Sequence, residues 1–420
     1  MKSFCLLLFL VFFNSFISYG QLQVQLSNSE DVANPVGYPH MQWYPDGHIS
    51  VLPNGNEYIM FWAEFESHRS VGTTQFVDGQ YALQPSTAVF GSRGNFNTYD
   101  NGGSWLMSVL RKPNNDLIGF YHAEDHWFPH TTNDIAWKSI GVTLSKDNGK
   151  TWETGKQIIT SFNPKPATPT WGGTGDCCVV WDHINSRWIC YYQEQTISMA
   201  ISYDPDGAPG TWKKYNPSGF TEDGLGGWQS PLPGLSSVPG GNPSVHWNTY
   251  LKKWVMVWHG WSPANIYISV SANGINWDTP KMIIVSEQGG RAWYPTIIGV
   301  TDVEAGNVAK IYYADFAPNG SRKFKSRTIT FYDPSLSVDD KKLNDGFLLS
   351  PCPSYDNINL NGLPSGNKEV FIYNMTGQLV YRKKFEENNV KIDINKFASG
   401  LYNLKVKLGN QSLNKKFVKQ

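Results

Sequence analysis

The sequence has little cysteine, no net charge and no long apolar run after its first twenty residues. Lysine plus arginine and aspartate plus glutamate number 35 each, so no strongly basic surface is required and nucleic acid is not expected as a partner. No later segment is apolar for long enough to cross a bilayer as a helix, so no membrane span is expected. Sustained helical periodicity is almost missing between Gln21 and Ser335.

The N-terminus has the pattern of an export signal. Lys2 precedes an apolar run from Phe4 to Phe13, and a more polar stretch from Asn14 to Gly20 follows. This order predicts a cleavable signal peptide over residues 1–20 and a mature chain that starts near Gln21. We therefore expect a secreted or cell-surface protein.

Four cysteines follow the predicted signal peptide: Cys177, Cys178, Cys190 and Cys352. Successive strand residues face opposite ways, so only one of Cys177 and Cys178 can face Cys190 on a neighbouring strand. A disulfide and buried free thiols both stay open. The chain has no Cys-x-x-Cys pair and no spacing typical of a structural zinc site.

Aromatic residues and turn formers are abundant. The chain has 17 Trp, 21 Tyr, 22 Phe, 39 Gly and 25 Pro. This composition favours an all-β protein with a ring-stacking, sugar-like ligand.

A short apolar strand that ends in aromatics and then a polar or acidic residue recurs five times. The copies are 58–64 (YIMFWAE), 117–124 (LIGFYHAE), 188–194 (WICYYQE), 254–259 (WVMVWH) and 309–315 (AKIYYAD). Four-stranded blades with long loops have such a period, so the repeat predicts a five-bladed β-propeller over residues 21–335.

Three of the predicted blades are clear. Their strands are Trp105–Arg111, Leu117–His122, Ser139–Ser145 and Trp152–Ile159; Cys177–Trp181, Trp188–Tyr192, Ser198–Tyr203 and Trp212–Tyr215; Ser244–Trp247, Trp254–Trp258, Ile266–Ser271 and Trp277–Ile284. Weaker blades are predicted near 49–91 and 294–331. The strand Leu22–Leu26 is predicted to close the ring by joining the last blade.

Residues 145–152 (SKDNGKTW) fit the pattern Ser-x-Asp-x-Gly-x-Thr-Trp and resemble an Asp-box. Degenerate copies occur at 271–277 and 202–212, and residues 98–105 also fit but precede a first strand. The resemblance implies a tight turn between a blade's third and fourth strands, with the tryptophan packed between blades. It implies that Asp147 shapes this turn and is not catalytic.

The blade pattern is similar to that of Asp-box proteins and five-bladed glycosidases, which implies cleavage of glycosidic bonds. The sialidase subset needs an Arg-Ile-Pro motif that this sequence lacks. The arabinanase-like subset has an aspartate at the start of its first blade, for which Asp46 and Glu64 are the candidates.

The composition turns polar and charged after Ser335. Residues 373–378 (YNMTGQ), 398–402 (ASGLY) and a Lys-Phe-Val-Lys end resemble the C-terminal sorting domain of the type IX secretion system. The resemblance implies a linker over 336–348, a small β-sandwich over 349–420 and the type IX machinery as a partner. The alternative is a plain β-sandwich that binds another ligand.

In a propeller, second strands end and first strands begin on the ligand face, so we expect the repeat ends to converge on one rim. The residues placed there are Glu64, Trp105, His122, Glu124, Asp125, Asp176, Glu194, Asn242, His259, Arg291, Tyr294 and Asp315.

Glycoside hydrolysis needs one carboxyl group as acid and a second as base or nucleophile, and clustered acids raise a pKa. We predict Glu194 as the general acid, Asp176 as the base and Glu124 as the group that tunes the acid. Substrate-binding positions are predicted at the other rim residues: Glu64, Trp105, His122, Asp125, His259, Arg291, Tyr294 and Asp315. The expected substrate is an extracellular polysaccharide or oligosaccharide.

Three alternatives stay open. A lyase acting on a uronic-acid polymer would use His122, Tyr294 and Arg291. A non-catalytic lectin would stack sugars on Trp105, Trp127, Trp261 and Trp293, although the five unlike rim residues favour one site and hence an enzyme. No cofactor is expected, with a metal ion held by His122, His126 and an acid as the remaining alternative.

Overall fold

The computed structural model describes most of the chain after the predicted signal peptide. The described residues are 22–33, 44–80, 86–94, 97–129, 131, 135–194, 196–332, 347–350, 354–363, 365–408 and 411–420. The chain divides into two compact units, Met1–Ser335 and Leu336–Gln420. The predicted signal peptide, most of the predicted linker and Cys352 lie outside the described residues.

The described residues are almost all strand and turn, which confirms the all-β prediction. The first elements are β1 (Gln23–Leu26), β2 (Glu30–Asp31), β3 (Ser50–Asn54), β4 (Glu57–Ala63), β5 (Ser67–Gly72), α1 (Val77–Gln80) and β6 (Thr87–Phe90). Strands β3 to β6 form the first sheet in chain order. Within the described part of the chain, no helix is long and apolar enough to cross a membrane.

Two further antiparallel meanders follow. Their elements are β7 (Gly103–Arg111), β8 (Leu117–His126), β9 (Ala136–Ser145), β10 (Lys156–Ile159), β11 (Gly172–Gly173), β12 (Gly175–Asp182), β13 (Arg187–Gln193), β14 (Ile197–Ser202), β15 (Lys213–Asn216) and β16 (Gly219–Asp223). Strands β7 to β10 form the second sheet, with β11 parallel to β9, and β12 to β16 form the third.

The fourth and fifth sheets complete the first unit. Their elements are β17 (Gly240–Asn248), β18 (Lys253–Gly260), β19 (Ile266–Ser271), β20 (Lys281–Ile284), β21 (Arg291–Ile298), β22 (Glu304–Ala305), β23 (Val308–Phe316) and β24 (Arg322–Tyr332). Strands β17 to β20 and β22 form the fourth sheet, while β21, β23 and β24 form the fifth with β1 and β2. The pairing of β1 with β24 confirms that the N-terminal strand joins the last sheet.

Five hydrophobic clusters connect these five sheets in a closed order. Leu52 of the first sheet shares a cluster with Leu106 of the second. Further clusters join the second sheet to the third, the third to the fourth and the fourth to the fifth. The last cluster brings Ile298 of the fifth sheet against Val51 of the first. Each sheet is therefore covered by a neighbour on both faces, which explains why inner strands such as β4 and β13 are buried along nearly their whole length.

The turn after β9 is organised around Asp147. Asp147 accepts hydrogen bonds from the amides of Lys150 (3.0 Å) and Thr151 (2.9 Å), and from the Thr151 hydroxyl (2.7 Å). These donors lower the pKa of Asp147 to about 2. Trp152 then packs edge-to-face on Phe61 of the preceding sheet, at 5.7 Å between ring centroids.

The same arrangement recurs in the next two sheets. Trp212 packs on Phe120 of the preceding sheet and Trp277 packs on Tyr191. The predictions that Trp152, Trp212 and Trp277 begin fourth strands are wrong, because these tryptophans belong to the turns and β10, β15 and β20 start after them. Residues 98–105 differ: Asp100 accepts from Arg93 Nε at 2.8 Å instead of shaping such a turn.

The cysteines of the third sheet follow the predicted alternation. Cys177 faces the cluster that also contains Cys190, whereas Cys178 faces the next cluster. All three are buried free thiols.

The second unit has two sheets around its own core. Its strands are β25 (Leu348–Ser350), β26 (Asn357–Asn361), β27 (Lys368–Asn374), β28 (Leu379–Phe385), β29 (Asn389–Asp393), β30 (Gly400–Leu408) and β31 (Gln411–Lys419). The sheet orders are β25-β26-β29 and β28-β27-β30-β31. Ile358 of the first sheet and Ile372 of the second are buried in the same hydrophobic cluster.

Candidate active site

The first strands of the second, third, fourth and fifth sheets each carry an irregular pairing near their start. The pairing shifts at Leu106/Ser108, Gly175/Cys177, Gly241/Ser244 and Trp293/Thr296. Each shift leaves unpaired residues that β-bulges typically aim at a functional site.

Three of these bulge residues have left-handed backbone conformations although none is glycine. Their φ angles are +41° for Asp176, +50° for Asn242 and +54° for Tyr294. Such conformations cost about 1–3 kcal/mol each and concentrate at active sites. The bulges therefore hold Asp176, Asn242 and Tyr294 at corresponding positions of three neighbouring sheets.

His122 links the second sheet to the third. Its Nδ1 lies 3.1 Å from Oδ1 of Asp176 and its Nε2 lies 3.3 Å from Oε1 of Glu124. His126 Nε2 lies 2.7 Å from the other Glu124 oxygen. These four side chains form a continuous hydrogen-bonded chain, which we call the carboxylate–histidine chain. Glu124, His122 and Asp176, which the topology had placed on one rim, are thus in contact through His122.

The charged groups of this chain stabilise one another's ionised forms. Burial opposes the charged form of His122, but the two carboxylates outweigh it and raise its pKa to about 9. Burial likewise opposes ionisation of Asp176, yet the hydrogen bond from His122 holds the pKa of this carboxyl far below its usual range. Burial of Glu124 is offset by His122 and His126, so its pKa is also lowered. Near neutral pH His122 is thus an imidazolium between two carboxylates.

Asp46 lies on the same rim, and its pKa is raised rather than lowered. Its side chain is 33% exposed, and Arg322 Nη2 lies 3.9 Å from its Oδ1. Burial raises the pKa of Asp46 to about 6, with the negative charges of Glu124 and Asp176 adding to the shift, while Arg322 and a hydrogen bond from Tyr294 oppose it. The three carboxyl groups are therefore close enough to interact, but only Asp46 keeps its proton near pH 6.

His259 is a buried, uncharged imidazole on the fourth sheet. Its ring stacks on Trp293 at 4.7 Å between centroids, and its Nδ1 accepts the Tyr294 amide at 3.4 Å. Burial lowers its pKa to about 3. Because Nδ1 accepts, the proton lies on Nε2, which has no partner in the described part of the chain. His259 can therefore donate one hydrogen bond to a ligand.

Two guanidinium groups lie against Phe316 on the fifth sheet. Arg291 is 4.3 Å and Arg322 is 5.0 Å from the ring centroid, and Arg291 also lies 4.1 Å from Trp293. Arg322 donates to the Pro45 carbonyl at 2.7 Å, which anchors the segment that presents Asp46.

Glu194, the predicted acid, lies on a different hydrogen-bond network. Its two oxygens accept from Ser161 at 2.6 Å and from Thr174 at 2.9 Å. Both oxygens are thus occupied by hydroxyl donors, and no described contact joins Glu194 to the carboxylate–histidine chain.

Other residues predicted for the site are hydrogen-bonded, ion-paired or buried within the fold. Trp105 Nε1 donates to the Glu64 carbonyl at 2.6 Å, and its ring lies 5.3 Å from that of His122. Asp125 pairs with Lys165 at 2.7 Å and accepts from Asn101 at 2.8 Å. Asp315 is fully buried on β23.

No group of three or more His, Cys, Asp or Glu side chains that could hold a metal ion occurs among the residues that the structure describes. His122 and His126 both contact Glu124 instead.

Sequence reasoning did not assign roles to Arg322 or Lys138, and it named Asp46 only as a candidate for the first-blade aspartate and His126 only as a ligand in the metal alternative. Lys138 pairs with Glu124 in the β8–β9 register, and it is one of the charges that lower the pKa of Asp176. The doublets Tyr44-Pro45, Asn242-Pro243 and Tyr294-Pro295 are a signal that could have aligned Asp46 with the bulge positions.

Comparison with known families identifies the C-terminal region. Residues 349–420 match the family described as the secretion system C-terminal sorting domain. This domain indicates secretion or a cell-surface location and the type IX machinery as partner. No curated protein matches the sequence.

Solved structures with similar folds include three glycoside hydrolases. A family 117 enzyme from Zobellia galactanivorans is 13% identical, with a TM-score of 0.46 over 76% of this chain and 93% of that chain. A family 62 α-L-arabinofuranosidase from Coprinopsis cinerea is 10% identical, with a TM-score of 0.44 over 74% and 98%. An endo-1,5-α-L-arabinanase from Thermotoga petrophila is 13% identical, with a TM-score of 0.40 over 90% and 93%.

Proposed function

We propose that this protein is an exported glycoside hydrolase that cleaves an extracellular polysaccharide or oligosaccharide. The observation that carries the proposal is that the pKa values of two carboxyl groups on one rim, Asp46 and Asp176, are shifted in opposite directions. One carboxyl has its pKa raised to about 6 and the other has its pKa held far below the usual range. Acids whose pKa values are driven apart by their environments are the arrangement that glycosidases use for acid and base roles.

In this proposal Asp46 replaces Glu194 as the proton donor to the glycosidic oxygen. Asp176 is the ionised partner, and it acts on water or on the sugar's anomeric carbon. The contacts of Glu124 give it a supporting role, because both its oxygens hold histidines. Through His122 it fixes the position and the charge of Asp176. His259 Nε2 and the aromatic ring of Trp105 are assigned to substrate binding.

Elimination fits this site less well than hydrolysis. A lyase needs a neutral base, whereas His122 is held as an imidazolium by two carboxylates and its pKa is about 9. The other rim histidine, His259, already carries its proton on Nε2, the nitrogen that has no partner among the described residues.

We infer that the first unit is a five-bladed β-propeller with Asp-box turns and that the second unit is a small β-sandwich. The closed order of five clusters and the repeated Asp147-type turn support the first inference. A single ligand site also fits better than a repeated lectin site, because the bulge residues Met107, Asp176, Asn242 and Tyr294 all differ.

The test is incubation of the full chain with a panel of plant and algal polysaccharides. New reducing ends without absorbance from an unsaturated uronic acid are expected. Asp46→Asn and Asp176→Asn should abolish product formation, whereas Asp278→Asn, an exposed aspartate away from the rim, should not. Unsaturated products would replace the proposal with a lyase. Binding of a glycan without any cleavage across the panel would replace it with a lectin.

A further inference from the structure

A cleft of about 390 Å³ opens beside the carboxylate–histidine chain, between the second and third sheets. Its lining includes Trp137, Lys138, Gln157, Phe162 and Lys165. Lys138 is the register partner of Glu124 on the neighbouring strand, so one end of the cleft lies beside the carboxylate–histidine chain.

The lining of this cleft has two lysines, Lys138 and Lys165, and one carboxylate, Asp125. Lys165 is neutralised by Asp125 at 2.7 Å and lies 4.3 Å from the centre of the Trp127 ring. Lys138 has no carboxylate within ion-pair distance in the described part of the chain. It still lies close enough to Asp176 and His259 to shift the pKa of both. One ammonium group therefore lies near Asp176 without direct contact to a carboxylate of the described residues.

Aromatic surface lies along the rest of the cleft. Trp137 and Phe162 line it, and Trp228 packs edge-to-face on Phe162 at 5.0 Å between centroids. Phe162 is 48% exposed and Trp228 is 55% exposed, so both present apolar faces to solvent. Exposed rings next to a few polar groups are the composition of a sugar-binding pocket, in which the C–H face of a pyranose covers an aromatic face.

We propose that this cleft is a subsite for an anionic sugar unit, one that carries a carboxylate or a sulfate, adjacent to the bond that is cleaved. The ammonium of Lys138 pairs with the anion while Trp137 and Phe162 hold the ring. The substrate is then an acidic polysaccharide. The place of this sugar unit beside the cleaved bond rests on the proposed hydrolase function, whereas its binding in the cleft does not.

The test measures binding rather than turnover. The full chain carrying Asp46→Asn is titrated with oligogalacturonate, with sulfated galactan oligosaccharides and with neutral galactan oligosaccharides, at low and high salt. At least one acidic ligand should bind about tenfold more tightly than the neutral one, and this advantage should shrink at high salt because the charges are screened. Lys138→Gln should remove most of the advantage.

Lys146→Gln is the matched control, because Lys146 is exposed and pairs with Glu153 on a distant turn. A second variant, Trp137→Phe, should weaken acidic and neutral ligands alike, which separates the stacking contribution from the charge. Unchanged thermal midpoints show that each variant is folded. Which acidic ligand binds more tightly identifies the anion as carboxylate or sulfate.

Equal binding of acidic and neutral ligands, or an acidic preference that survives Lys138→Gln, would overturn the inference. The two proposals fail separately. Cleavage of a neutral polymer that is insensitive to Lys138→Gln would leave the hydrolase and remove the subsite. Binding of acidic glycan that depends on Lys138, without cleavage of any polymer, would leave the subsite and remove the hydrolase.

Discussion

Nδ1 of His122 lies 3.1 Å from Oδ1 of Asp176, although the two residues come from different sheets. The contact depends on the bulge at Asp176, which places the Asp176 backbone nitrogen 3.0 Å from the same His122 nitrogen. The strained residue is held to the neighbouring sheet by the ion pair between its carboxylate and His122. The consequence is an aspartate that stays ionised while Asp46, on the same rim, keeps its proton to about pH 6.

Replacing Asp176 with asparagine should lower kcat by about 10²- to 10⁴-fold, the usual contribution of a positioned acid or base. The substitution keeps the side-chain shape but removes the charge that faces the reacting centre. Initial rates on the substrate found in the panel measure the effect, with Asp278→Asn as control. A rate within twofold of wild type would contradict a catalytic role for Asp176.

Activity should decline as the pH rises through about 6. The folded pKa of Asp46 is raised above the ordinary 3.8, so the protonated form that donates to the leaving oxygen is present below pH 6 and is lost above it. A profile of kcat/KM against pH between 4 and 8, run in ~0.1 M salt, tests this. A rate that instead increases through pH 6 would make Asp46 the base and reverse the assignment.

Tyr294→Phe should move that alkaline limb to higher pH by a few tenths of a unit to about one unit. Burial of Asp46 raises its pKa, and the Tyr294 hydroxyl opposes the shift by donating to the ionised carboxylate. Without the Tyr294 hydroxyl, the pKa of Asp46 should therefore be higher than in the wild type. Tyr203→Phe, at a residue that is 64% exposed, is the control and should leave the limb in place. An unmoved limb in Tyr294→Phe would show that the hydroxyl does not tune Asp46.

Trp212→Ala should lower the free energy of unfolding of the first unit by about 3–5 kcal/mol. The indole is fully buried, packs on Phe120 of the neighbouring sheet and donates to the Gly207 carbonyl at 2.8 Å. Urea denaturation followed by tryptophan fluorescence measures the loss. Trp171→Ala, at a side chain that is 53% exposed, should cost less than about 1 kcal/mol. Similar losses for the two variants would contradict the packing role given to the turn tryptophans.

Deleting residues 349–420 should block export without affecting catalysis. These residues match the sorting domain and belong to a separate compact unit. In a bacterium with a type IX system, immunoblots should find the shortened chain inside the envelope and the full chain at the surface or in the medium. The purified shortened chain should cleave glycan at the wild-type rate. Normal export of the shortened chain would contradict the sorting role.

The repeat pattern predicted much of the fold because the second strands, such as β4 and β13, are buried on both faces and so keep a continuous apolar run. The third strand of the fourth sheet was predicted at Ile266–Ser271, and β19 has those bounds. The fourth strands were predicted too long, because Trp152, Trp212 and Trp277 are apolar yet lie in turns. In these turns the tryptophan packs on the preceding sheet rather than within its own sheet.

Some residues of the candidate site could be placed from the strand order rather than from the apolar repeat. Glu124, His122 and Asp176 were placed together by topology alone, since each lies where a second strand ends or a first strand begins. Asp46 was only a candidate, because it lies outside the repeated strand motif. Its pKa is raised by burial and by the charges of Glu124 and Asp176, which are far away in the sequence. Glu194 has the same motif position as Glu124, but the sequence did not show that Ser161 and Thr174 would occupy its oxygens.

The most direct test of the hydrolase account is cleavage in water enriched in ¹⁸O, with the products of the polysaccharide panel read by mass spectrometry. Hydrolysis through Asp46 and Asp176 predicts one labelled oxygen in the products for every bond cleaved, and no label transfer in Asp46→Asn. Products that are cleaved but carry no solvent oxygen would show that the bond breaks by elimination, and the account would be wrong.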